Sequence, residues 1–128
     1  MGLCLFPGDG ESDGPDACFS YGEFALFRRR LALAEDFHLE EMQGFGGVRP
    51  WKDVRTALEP LLNHPDDHSR SLSPLECEAI VARLENILLE WVSSESSDFE
   101  LKEHIRDARK VIAVMHVCIQ KNVELCLM

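Results

Sequence analysis

Between residues 73 and 121 the apolar side chains recur in steps of three and four, in two series separated by a polar break. The first series is Cys77, Ile80, Leu84, Ile87 and Trp91, widened by Val81 and Leu88. The second is Leu101, Ile105, Ala108, Ile112, Met115 and Ile119. That period lays each series along one face of an α-helix. The break, Val92-Ser-Ser-Glu-Ser-Ser-Asp98, is short, so the two helices are predicted to be antiparallel neighbours. Whatever fold the chain adopts must cover these two stripes.

Local signals agree with that reading. Ser73-Pro-Leu-Glu76 is a capping box with proline at the first helical position, and Ser97-Asp-Phe-Glu100 repeats the box for the second helix. Lys121-Asn122 suits a helix end, combining a cation for the dipole with a residue that tolerates left-handed geometry.

Earlier in the chain, residues 2–6 form an apolar run stopped by Pro7-Gly8, and residues 17–19 form a second; both read as strands. Ser20 and Glu23 make another capping box, followed by Phe24, Phe27, Leu31 and Ala34 at helical spacing. Asp36 reads as the N-cap of a short piece through Phe37, Leu39 and Met42, ended by Gly44-Phe45-Gly46-Gly47. Trp51, Val54, Leu58 and Leu61 or Leu62 give a third helical pattern, which Pro60 must bend or split. Residues 63–70 read as a polar loop. The apolar residues 123–128 find their natural partner in residues 2–6, which brings the chain ends into one sheet.

The predicted class is therefore α+β and predominantly helical. A long antiparallel helical hairpin and two or three shorter helices pack on a small antiparallel sheet formed by the chain termini. The 128 residues are one domain's worth, and 45% apolar content argues for a folded core.

Charge narrows the function classes. A formal net charge of −10 disfavours nucleic-acid binding through a broad basic surface, which needs clustered Lys and Arg. It suits a basic protein partner, or simply keeps the chain soluble. No apolar run is long enough to span a bilayer, and the first residues lack the basic start of a signal peptide. Five cysteines without a C-x-x-C pair read as reduced thiols, and hence as a cytoplasmic protein. Cys77 and Cys118 are expected as small buried hydrophobes.

Three places carry candidate chemistry. His64, Asp66, Asp67 and His68 are the best cluster of metal-ligating types, able to hold a divalent metal with help from elsewhere. Asp9-Gly-Glu-Ser-Asp-Gly14 matches the first half of a calcium loop, but Asp16 and Ser20 break the second half. Arg28, Arg29 and Arg30 form the one basic run. They are candidates for anchoring an anionic group or a partner, although consecutive helical residues fan apart; Glu23 or Asp36 are their expected ion-pair partners. His104 is expected on a polar face and His116 partly buried beside the apolar stripe. No nucleophile–base pair, H-E-x-x-H or phosphate-binding glycine loop occurs, so enzymatic activity has no constellation to rest on.

Phe24-Ala-Leu-Phe27-Arg28-Arg-Arg-Leu31-Ala32, Met42-Gln-Gly44-Phe45-Gly46-Gly47 and Leu61-Leu62-Asn-His64, together with Trp51, resemble a family of small uncharacterised actinobacterial proteins. The resemblance covers most of the chain and implies a cytoplasmic single-domain protein; it brings no activity with it. The expected function is thus a non-enzymatic protein-interaction domain, of the size and charge seen in immunity and antitoxin-type proteins. The alternative is a metal-binding or metal-dependent protein using His64 to His68. The hairpin is also a candidate homo-oligomer interface, through the Trp91 side of its stripe.

Overall fold

The computed structural model describes residues 2–10, 15–63, 70–94 and 99–127. The hairpin forms as its periodicity requires, from α3, Pro74–Ser93, and α4, Phe99–Lys121. Ser73 caps α3: its side chain accepts from the Glu76 N–H at 3.1 Å, while the Glu76 carboxylate accepts from the Ser73 N–H at 2.9 Å. The box expected at Ser97 falls outside the described residues. Asn122, at φ 55°, closes α4, and Val123 N–H reaches back to the Cys118 carbonyl at 3.0 Å.

Four strands make one antiparallel sheet: β1 is Gly2–Pro7, β2 Ala17–Ser20, β3 Arg70–Leu72 and β4 Leu125–Leu127. Their order is β2-β1-β4-β3, so the two ends of the chain lie side by side at the centre, with Leu5 opposite Leu127. Alternation along the strands sends Leu3, Leu5, Ala17, Phe19, Leu72, Leu125 and Leu127 inward, where all are buried. β3 is a correction, because residues 63–70 read as loop. Its Leu72 is buried, and its place in the sheet comes from pairing with β4.

Helix α1, Tyr21–Ala34, starts at the expected Ser20 box, whose hydrogen bonds hold the Glu23 carboxyl below its ordinary pKa. Its side chains Phe24 and Phe27 stack against Phe19 at 5.2 and 5.8 Å between ring centroids. Phe27 then meets Trp91 at 6.5 Å, tying α1 to the hairpin. Asp36 does not open a new helix. It sits at φ 65° as the left-handed residue that ends α1, with Phe37 N–H bonded to the Ala32 carbonyl at 3.0 Å. A short polar side chain tolerates that conformation, which is why Asp serves at either end of a helix. The third pattern is split, as Pro60 demands, into a 3-10 turn at Trp51–Asp53 and a single turn of helix, α2, Glu59–Leu62.

Between sheet and helices lies an apolar cluster that includes side chains from all of these strands and helices. On the outer face of the sheet, the register sets Cys4 opposite Cys18, and the two form a disulfide. This corrects the expectation of five reduced thiols. Disulfides persist in oxidising compartments, so the thiol argument for a cytoplasmic location falls away. No helix among the described residues is long and apolar enough to cross a membrane.

Candidate interaction surface

The four sequence candidates for metal ligation, His64, Asp66, Asp67 and His68, lie outside the described residues. Among the described residues no group of three or more His, Cys, Asp or Glu is placed to hold a metal. In the acidic Gly-rich loop, the first carboxylate, Asp9, is held by Lys121 Nζ at 2.6 Å; residues 11–14 are outside the described set.

The arginine run fans out, each member meeting a different fate. Arg28 is 1% exposed, its guanidinium 4.5 Å from the Phe24 ring centroid and 5.1 Å from that of Phe45. Two aromatic faces thus stabilise a cation that burial would otherwise penalise. Arg30 Nε donates to His104 Nδ1 at 2.7 Å, and its Nη2 lies 3.5 Å from Glu100. Arg28 and Arg29 share a cavity with Ala25, Leu39, Glu40 and Phe45. At about 150 Å³ it is well below the range of small-molecule sites, and Glu40 opposes the positive charge. Arg28, Arg29 and Arg30 therefore do not converge on one anionic group. Their expected partners also differ: no ion pair among the described residues joins the run to Glu23 or Asp36, and Glu35 instead pairs with Arg83 at 2.5 Å.

The histidines exchange roles. His104, expected on a polar face, is 4% exposed and packs against Phe27 and Trp91. His116 is exposed, with Nε2 3.2 Å from Glu85. Trp91, expected at an exposed edge, is half-buried against this cluster, and Val92 beside it is exposed.

Among the described residues Leu26, Leu33, Val48, Val92 and Phe99 are exposed, and so are two leucines on the outer face of α3, which lie in a longer row. Leu75, Ala79, Ala82, Asn86, Leu89 and Ser93 follow each other in steps of four and three, and all are exposed. Leu75 is 78% and Leu89 69% exposed. No charge interrupts the row. Glu78 and Glu85 edge it on the side of α4, and Glu90 on the other. Solvated helix faces are ordinarily charged, so an uncharged row with leucine near each end is the anomaly of this surface.

The outer face of α4 is its chemical opposite. Phe99, Lys102, Arg106, Arg109 and Ala113 run along it at the same spacing, with Lys110 beside them, and all are exposed. Thus four of the chain's 13 basic residues line about three turns of one helix. Reading composition alone hides this: the acidic total conceals a basic ridge. Compared with protein-family models, curated proteins and solved structures, the chain matches none.

Proposed function

We propose that this protein is a non-enzymatic protein-interaction domain that docks a partner on the outer face of α3. The observation that carries the reading is the uncharged exposed row Leu75, Ala79, Ala82, Asn86 and Leu89, edged by Glu78, Glu85 and Glu90. Small residues at the middle of the row let a partner helix approach closely, while the leucines supply apolar area. The glutamates favour a partner that edges its own apolar face with Lys or Arg. Membership in the actinobacterial family, on the motifs at residues 24–32, 42–47 and 61–64 with Trp51, the cytoplasmic location that resemblance implies, and an immunity or antitoxin-like role, on size and charge, belong to this proposal as well.

A synthetic amphipathic helix with a leucine face edged by lysines tests the surface directly. Titrated into dilute protein and followed by fluorescence anisotropy, it should bind, weaken as salt rises, and lose affinity at least about tenfold with Leu89→Glu. Binding that ignores Leu89→Glu, or no binding at all, would refute the docking reading.

A further inference from the structure

The chain itself carries the chemistry that the α3 face asks for. We infer that the occupant of this face is a second copy of the chain, with α3 of each copy lying along α4 of the other. The inference rests on the docking reading and names its partner.

Charge selects the arrangement. Two hairpins stacked face to face can be related by a two-fold axis running across the helices or along them. An axis across the helices sets α3 antiparallel on α3 and brings Glu78 and Glu85 of both copies to the same edge. Like charges so placed oppose association. An axis along the helices sets α3 on the other copy's α4, antiparallel, and brings glutamates to the ridge of Lys102, Arg106, Arg109 and Lys110.

The register within one hairpin then fixes which residues meet. Glu85 touches His116, and Trp91 touches His104, so residue 90 of α3 lies level with a point between residues 105 and 111 of α4. Rotation about an axis along the helices preserves level. Glu90 of one copy therefore lies across from Arg109 and Lys110 of the other. None of these three side chains makes an ion pair among the described residues of its own copy. Leu89, one residue away, lies level with residues 106–112 of that helix.

The area is adequate. α3 has 20 residues and α4 has 23, so each is roughly 30 Å long or more. Two helices about 8–10 Å apart present a strip of roughly 600 Å² in projection. Accessible area exceeds projected area, which brings the face to the ~800 Å² per partner of a standard interface. Asn86, near the middle of the α3 row, adds a polar group of the kind that fixes register between helices.

Sedimentation equilibrium of the full chain between about 1 and 200 µM tests the inference. The wild-type chain should dimerise, and Leu89→Glu should weaken the dimer at least about tenfold. Because Leu89 is exposed in the single chain, the variant's circular dichroism and melting temperature should match the wild type; Ala82→Glu is an independent second variant. Glu90→Lys should weaken the dimer, as should Arg109→Glu with Lys110→Glu. Combining all three should bring the dissociation constant back to within about threefold of wild type, because the charges again oppose each other.

A chain that stays monomeric throughout overturns the inference, and so does a dimer that Leu89→Glu leaves intact. A dimer whose reversed charges fail to rescue one another overturns the α3-on-α4 arrangement. If the chain is monomeric yet still binds the lysine-edged peptide through Leu89, the second-copy inference alone has failed. If it is monomeric and ignores the peptide, the docking reading fails with it.

Discussion

Cys77 and Cys118 show how little a residue type says about its chemistry until its neighbours are known. Both are fully buried where α3 meets α4, and burial, as the larger cause, pushes their thiols up to about 12 and about 11. The folded chain therefore keeps both protons where the unfolded chain, titrating from its ordinary value near 9.0, begins to lose them. A state that binds more protons is disfavoured as protons become scarce, so stability should fall as pH rises above about 9, by up to ~1.4 kcal/mol per pH unit for each thiol. Urea midpoints measured from pH 8 to 10.5 should show the slope, and Cys77→Ala should flatten it. A second residue-scale consequence sits at Gly47, where an added Cβ would overlap the Glu41 carbonyl. Gly47→Ala should cost about 1–3 kcal/mol of unfolding free energy, since backbone cannot yield as a side chain does. The arginine run belongs here too. Helical spacing sets Arg28, four residues after Phe24 and three before Leu31, on the apolar face, and Phe45, delivered by a separate turn, covers its guanidinium.

Helix α3 starts where Ser73 and Glu76 satisfy each other's backbone N–H groups, a local arrangement that four residues complete. Ser73→Ala should lower stability by about 1 kcal/mol, read from the shift in urea midpoint at unchanged slope. The β1–β2 hairpin needs more than local signals. Cys4 and Cys18 meet only because the register places them opposite each other, and their bond closes a loop with a sequence separation of 14. Reducing it, or making Cys4→Ser with Cys18→Ser, should cost about 2–3 kcal/mol in denaturant unfolding. Unchanged stability with added dithiothreitol would show that the two thiols are not bonded in solution. At this scale the outer row of α3 also becomes visible. Leu88 and Leu89 are adjacent in sequence, but one packs against the core and the other faces solvent. A helix with apolar residues over much of its circumference does not announce which face its own fold leaves bare.

Across the whole molecule, β4 pairs with β1 on one side and β3 on the other, and its Leu125 is fully buried. Leu125→Ala should destabilise by about 2–5 kcal/mol in a single cooperative transition, because its cavity opens into the one core the elements share. The residues His64, Asp66, Asp67 and His68 pose a question at the same scale. If they hold a divalent metal, added zinc or manganese must raise the melting temperature, since a ligand bound only by the folded chain stabilises it. An unmoved melting temperature would retire them as ligands. By itself the sequence determined the hairpin, the starts of α1 and α3 and the pairing of the chain ends. Those features follow from side-chain period and from hydrogen bonds that close within a few residues, and the interaction is complete wherever the pattern occurs. Only the tertiary structure decided that Phe45 covers Arg28, that His104 is buried, that Cys4 faces Cys18, that three residues at 70–72 complete the sheet, and that an uncharged row is left outside. Each of these depends on which distant residue occupies the neighbouring volume, and contact at long sequence separation leaves no local trace.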